Sequence, residues 1–372
     1  MPRELVTVAP RTPGLREYEE PLLGDTQIRI RTEFAAPKHG TEMVSYRAER
    51  TGVRYDAEWG YFVPAPPKPE AEQTFQPARL GNMATGAVVE AGAAVTKFSA
   101  GDRIFGHLPI RETHTVEARR VDLLPAGLTP QAAVCLDPLV MALPVRESGI
   151  RLGDRVAVFG LGAIGQMAVQ LARIAGADQV IAVDPIKDRR DLALALGADA
   201  TIDPLAGDVG QAIRELTVPG SQISAPTEPF WRGVGGYTER PTQWGQRGVD
   251  VAVEVSGNST VLHDAIRATR FGGTVCVISF YGRDASGVHL GHEFHVNQLS
   301  LVSVRAESLP LRDYPAWDLQ RLADMGLRWL LSGRVKAEGI VSPIVPFEES
   351  AAAYADIDLH PEKSIKLGIT FS

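Results

Sequence analysis

The sequence predicts an α/β protein in two parts: a strand-rich first third, then a doubly wound parallel sheet. Three observations carry this. Short strands with period-two alternation and turns fill roughly the first 145 residues. Continuous apolar runs alternate with helical patterns after about residue 150. A glycine-rich turn joins the first of those runs to its helix.

Residues 26–32 alternate apolar and polar side chains and predict a half-buried strand. Residues 85–91, followed by Gly92, predict another. Gly101-Asp102-Arg103 reads as a turn and Ile104-Phe105-Gly106 as a strand onset. Residues 55–77 include Pro64, Pro66, Pro67 and Pro69 and predict a loop with extended segments, either a linker or a cover over a substrate. In the second part, residues 155–159 form an apolar run fit for a strand buried on both faces. Ile164, Met167, Ala168, Leu171 and Ile174 follow at helical spacing, and Gly176 is placed to end that helix. Residues 180–183, 249–255, 274–278 and 299–304 predict further strands. Residues 192–196 and 261–269 predict helices between them. A helix over 317–331 and a strand over 364–370 close the chain. Residues 218–246 interrupt the alternation with Pro219, Pro226, Pro229 and Pro241 and with Phe230, Trp231, Tyr237 and Trp244. So long an insertion covers an active site, packs on a neighbouring subunit, or packs on itself.

Composition bounds the function. The 372 residues are 44% hydrophobic and 22% charged, and such a chain buries a large core without disulfides or structural metals. Against 45 acidic residues stand 38 Lys and Arg, a net charge of −7, which argues against a general binder of nucleic acid or anionic membrane. The two cysteines, Cys135 and Cys276, lie in apolar runs and read as buried small hydrophobes. They exclude a disulfide scaffold and a four-cysteine zinc lobe. No run reaches the ~18 apolar residues of a membrane helix. The opening Met-Pro-Arg-Glu-Leu lacks the apolar core of a signal peptide, so the expected location is cytoplasmic.

The turn Gly160-Leu161-Gly162-Ala163-Ile164-Gly165 fits G-x-G-x-x-G between a predicted strand and a predicted helix, the context the motif demands. Gly160 permits the tight turn, Gly162 lets the backbone approach a pyrophosphate, and Gly165 allows close packing of helix on strand. The N–H groups of the helix start, Ala163 and Ile164 among them, then face the anion. Asp184 ends the next strand, 19 residues beyond Gly165, and fits the acid that binds the adenosine ribose hydroxyls. A 2′-phosphate would meet like charge there, which favours NAD over NADP. Lys187, Arg189 and Arg190 pull the other way, since a basic side chain accommodates that phosphate.

The order of these segments, with Gly101-Asp102-Arg103, the Gly160 turn and Val255-Ser256-Gly257, resembles the medium-chain dehydrogenase/reductase superfamily, the alcohol and sorbitol dehydrogenase relatives. The resemblance covers nearly the whole chain. It implies a GroES-like catalytic domain from residues 1–147 and a return segment 306–372, and a Rossmann dinucleotide-binding domain over 148–305 with the insertion 218–246. It implies hydride transfer between a carbon substrate and a nicotinamide, with Ser256 and Gly257 near the cofactor and Ile278 and Ser279 flanking its ring. It also implies a homo-oligomer, a dimer or tetramer.

The zinc members carry a Cys-Gly-Thr-Asp-like motif, a Gly-His-Glu motif and the Glu of Glu-Pro-Leu. This chain has His39-Gly40-Thr41-Glu42, Gly81-Asn82-Met83 and Asp137-Pro138-Leu139 in their places. A neutral amide is a poor third ligand beside His39 and Asp137, so no catalytic zinc is expected. Without a metal, a side chain must take the hydroxyl proton as hydride leaves. The expectation is a His39–Asp137 pair, with the carboxylate orienting the imidazole and the other ring nitrogen facing the substrate. Thr41 stands at the position of the family's proton-relay hydroxyl. Lys38 is a second candidate base or carbonyl-polarising group. For Glu42 a packing or salt-bridge role is preferred. The expected function is a zinc-independent, NAD-dependent dehydrogenase of a secondary alcohol on a polyol, sugar or cyclitol-like small molecule. The alternatives are an NADPH-dependent enoyl or quinone reductase and a non-catalytic NAD(P)-binding protein.

Overall fold

The chain opens with a hairpin whose alternation is too short to stand out in the sequence: β1 (Arg3–Ala9) pairs antiparallel with β2 (Thr12–Glu17). Next comes β3 (Gln27–Ala36), where the expected alternation buries Ile28, Ile30 and Thr32. Pro37 interrupts the strand, and α1 (His39–Tyr46) starts at once, a helix in a stretch expected to be all strands. β4 (Val53–Asp56) and β5 (Tyr61–Pro64) form a separate hairpin inside the proline-rich stretch. Then follow β6 (Ala78–Arg79), β7 (Met83–Ala91), β8 (Arg103–Gly106), β9 (Thr113–Glu117) and β10 (Val121–Leu123). Two short helices end this part. In α2 (Pro130–Val134) the Thr129 hydroxyl caps the start by accepting from the Ala132 N–H at 3.1 Å; α3 (Leu136–Ala142) carries Asp137 in its first turn.

The second part alternates as expected: β11 (Arg155–Phe159), α4 (Ala163–Ala175), β12 (Gln179–Val183), α5 (Lys187–Ala195), β13 (Ala200–Ile202) and α6 (Val209–Leu216). It continues through β14 (Val249–Glu254), α7 (Ser259–Ala268), β15 (Thr269–Val277), β16 (Ser300–Ser303) and α8 (Leu319–Leu331). Gly176 ends α4 at φ +108°, a left-handed conformation that glycine adopts without strain. The return holds β17 (Val341–Pro346), α9 (Ser350–Leu359) and β18 (Lys366–Thr370).

This computed structural model describes residues 1–49, 52–66, 75, 77–217, 247–281, 285–305 and 313–372. The insertion 218–246 and the expected boundary at 306 lie outside the described residues. Among them, no helix is long and apolar enough to cross a membrane.

The described chain forms two compact units, Met1–Asp137 with Leu330–Ser372, and Pro138–Trp329. The first division falls ahead of the expected 147/148 because the 3-10 segment Leu143–Ser148 packs on α4, β14 and β15 of the second unit. The second falls after the expected 305/306, so that most of α8 belongs with the second unit.

In the first unit the main sheet runs β10-β8-β7-β3-β18-β17, with β9 also paired to β3. The last strand therefore lies beside β3, with Ile369 opposite Ala35, and this brings the start of β18 against the turn that enters α1. Ile28, Ile30, Ala84, Ile104, Tyr354, Leu367 and Ile369 share its core, and each large apolar side chain so buried contributes roughly 1.5–3 kcal/mol.

In the second unit all pairs of the six-stranded sheet are parallel, in the order β13-β12-β11-β14-β15-β16. The order reverses between β11 and β14. In such sheets ligands bind outside the carboxyl ends of the strands at that reversal.

Candidate active site

At that reversal the Gly160 turn leaves β11 with Gly160 at φ +89°, and a Cβ there would meet the Ser256 backbone at 2.9 Å. Gly165 is tighter still, since its Cβ would stand 1.9 Å from the Gly160 carbonyl oxygen. Gly162 is the N-cap of α4, has no side-chain cap, and nothing lies within 4 Å of where its Cβ would be. The first backbone N–H of this turn with an intrahelical acceptor is that of Gln166, which donates to the Gly162 carbonyl. The N–H groups of Ala163, Ile164 and Gly165 precede it and suit an anion.

Asp184 follows β12, is buried, and braces the turn. Its Oδ2 accepts from the Leu161 N–H and its Oδ1 from the Ile186 N–H, both at 2.8 Å. Each carboxylate oxygen keeps a second lone pair, so ribose binding stays open to it. The three neighbouring bases each have an acid. Arg189 lies 3.8 Å from Asp184, Arg190 3.2 Å from Asp203 and Lys187 beside Asp191 at 2.5 Å. Burial pushes the Arg189 guanidinium below its ordinary range.

Ser256, Gly257, Ile278 and Ser279 sit together at the ends of the neighbouring strands. The Ile278 N–H donates to the Glu254 carbonyl at 3.0 Å, and Gly257 takes φ +70° with the Phe280 carbonyl 2.9 Å from its would-be Cβ. Glu254 was not anticipated. It is fully buried and its carboxylate accepts from the Ser256 N–H at 2.6 Å and from the hydroxyls of Ser256, Ser279 and Tyr281. The signal for it was an acid closing an apolar strand just before Ser256-Gly257.

In the first unit, Lys38 is the N-cap of α1. Its Nζ donates to Asp137 Oδ1 at 3.2 Å, with the two side chains 19% and 4% exposed. His39 takes another partner: its Nε2 accepts the Leu367 N–H at 2.9 Å. The neutral ring has one lone pair, and here a backbone N–H uses it, so Nδ1 carries the proton. The expected His39–Asp137 pair, with a second ring nitrogen free to take a substrate proton, is therefore corrected to a Lys38–Asp137 pair. The cause is the topology, because β18 lies beside the entry to α1 and presents an N–H that needs an acceptor. Thr41 lies exposed in the first turn of α1. Glu42 is a clasp, accepting from the Lys38 N–H at 2.6 Å and from the Gly81 N–H and the Tyr354 hydroxyl, both at 3.0 Å.

Lys366 is the other group not anticipated. It is buried at 3% exposure, and its Nζ donates to the Pro37 carbonyl at 2.8 Å, which fixes the peptide leading into Lys38. Burial pushes its ammonium below the ordinary lysine range, while Cys135, Asp137 and Glu42 oppose the shift. Burial likewise pushes the Cys135 thiol up to about 12, which makes it an inert packing group.

Residues 163–324 match the family model described as zinc-binding dehydrogenase. The chain is 38% identical over 376 aligned positions to D-guloside 3-dehydrogenase of Escherichia coli K12, covering 99% of this chain and 100% of that protein. It is 28% identical to (R,R)-butanediol dehydrogenase of Bacillus subtilis over 64% of this chain and 67% of that one. The crystal structure of 2R,3R-butanediol dehydrogenase from Bacillus subtilis superimposes with a TM-score of 0.68 at 20% identity, covering 100% and 99% of the two chains.

The donors at the positions of zinc ligands do not fit that ion. His39 Nε2 holds a backbone N–H, Asn82 Oδ1 faces His107 Nδ1 at 3.2 Å, and Asp137 Oδ1 holds an ammonium. Among the described residues no three His, Cys, Asp or Glu side chains are grouped to hold a metal. The open N-terminus of α4 does fit a dinucleotide.

Proposed function

Because the chain belongs to the medium-chain dehydrogenase/reductase superfamily, whose relatives oxidise polyols and sugar alcohols, we propose that it is an NAD-dependent dehydrogenase of a secondary alcohol on a sugar or polyol, with Lys38 and Asp137 in place of a metal. The observation that carries the reading is Lys38 Nζ donating to Asp137 Oδ1, a basic side chain seated on the acid that matches a zinc ligand of the family.

The bound nicotinamide supplies a two-electron hydride acceptor. The Gly160 turn and the start of α4 would hold the pyrophosphate, and Asp184 would meet the ribose. Lys38 is the group placed to take the hydroxyl proton of the substrate as hydride leaves, and Asp137 holds the ammonium so formed. In the reverse direction that ammonium returns the proton to the carbonyl oxygen. Positioned proton transfer of this kind contributes roughly 10²–10⁴ in rate. Glu42 and Lys366 act through Lys38, one on its N–H and the other on the carbonyl before it.

NAD is supported over NADP by the bases near Asp184. Each already faces an acid, and Arg189 faces Asp184 itself. A sugar ring as substrate is supported by the guloside enzyme, similar over its whole length. The test follows absorbance at 340 nm with NAD or NADP across glycosides, free sugars, polyols and cyclitols, with and without a chelator. NAD-linked oxidation of a ring hydroxyl that survives the chelator is expected. Activity lost to the chelator and restored by zinc would overturn the metal-free mechanism.

A further inference from the structure

Glu254 closes β14 with 0% of its surface exposed. Its four donors are the Ser256 N–H and the hydroxyls of Ser256, Ser279 and Tyr281. Among the described residues none of its partners is a cation, in contrast to Asp184, the other buried acid at these strand ends, which has Arg189 at 3.8 Å. Neutral donors stabilise an anion without cancelling its charge. Tyr281 remains such a donor, because burial and the carboxylate both push its hydroxyl well above the ordinary range. Among the described residues Glu254 is therefore a buried carboxylate held by neutral donors alone, with no ion-pair partner. A charge in that state interacts strongly with any cation brought near it.

Of the two serines that hold the carboxylate, the family resemblance puts Ser279 beside the nicotinamide ring and Ser256 near the cofactor. Oxidised and reduced nicotinamide differ by one positive charge on the ring, since the hydride brings two electrons with its proton. We propose that Glu254 poises the bound cofactor, favouring the cationic oxidised ring over the neutral reduced one. The inference rests on the nicotinamide reading of this site and adds to it a direction for the bound equilibrium, toward oxidised cofactor.

The test compares dissociation constants rather than turnover. NAD and NADH are titrated by calorimetry into the full chain and into Glu254→Gln, which keeps size and loses the charge. NAD is expected to weaken by about tenfold relative to NADH in the variant. Equal changes in both constants, or no change, overturn the proposal. Failure of the unaltered protein to bind either nucleotide overturns the nicotinamide reading as well, and so separates the two. Should Glu254→Gln not fold, Tyr281→Phe keeps the acid and removes one hydroxyl dipole. The ratio should then move toward NAD by about twofold, and an unchanged or opposite ratio counts against Glu254.

Discussion

Nζ of Lys38 stands 3.2 Å from Oδ1 of Asp137, while the imidazole of the next residue, His39, takes the Leu367 N–H at 2.9 Å. Two adjacent side chains thus divide two tasks. One faces the buried acid at the start of α3, and the other ties β18 to the first turn of α1.

Lys38→Met removes the proton acceptor proposed above. We expect kcat to fall by roughly 10²–10⁴ with the dissociation constant for NAD unchanged. Asp137→Asn should cost less, because it weakens the hold on the ammonium without removing the amine. Steady-state kinetics on the best sugar substrate, beside calorimetry with NAD, separate the effects. A Lys38→Met enzyme of normal turnover would remove lysine from the chemistry.

His39→Ala should act on stability. The Leu367 N–H at the start of β18 loses its acceptor, at a cost of about 1–3 kcal/mol. The urea midpoint should drop, while kcat of the folded enzyme falls no more than about threefold. A collapse of kcat at unchanged midpoint would return the imidazole to the proton-transfer role.

Gly162→Ala and Gly165→Ala should fail differently. At Gly162 a methyl group has open space in the protein, so folding is kept and NAD binding is lost to the methyl in the path of the phosphates. At Gly165 the methyl would stand 1.9 Å from the Gly160 oxygen, so stability falls by about 1–3 kcal/mol and NAD binding falls with it. Thermal melting and NAD titration of both variants check the contrast.

His114 sets an acid limit. It is 2% exposed, and burial, with Arg111 and Arg79 near, lowers its value to about 3 from the ordinary 6.5. Below the ordinary value the unfolded chain binds a proton that the folded chain refuses. Stability from this group is therefore full above about pH 6.5 and declines toward pH 3, by about 1.4 kcal/mol per pH unit. Urea unfolding at pH 7, 6 and 5 should show a shallower decline in His114→Leu than in the unaltered chain.

The parts legible in the sequence are those whose cause is local. The Gly160 turn, β11, α4 and its Gly176 cap depend on residues within one supersecondary unit, and their pattern states them directly. α1 was not legible, because only eight residues carry it and Glu42 clasps its start from within. The partner of His39 was hidden for another reason. It is decided by Leu367, 328 positions along the chain, through the pairing of β18 with β3. Lys366 and Glu254 were visible only as charges in apolar strands. What each is for depends on strand neighbours that no spacing rule connects.

The place of β18 beside β3 also fixes an order of events during synthesis. The nucleotide-binding half has its entire sequence out of the ribosome before the sheet that carries Lys38 receives its final inner strand. Until then the nascent chain exposes the unpaired rim of β3 near Phe34 and Ala35, a ready seam for wrong pairing. A chain cut before β18 would therefore keep the whole of the parallel sheet yet lack an inner strand of the sheet beside Lys38.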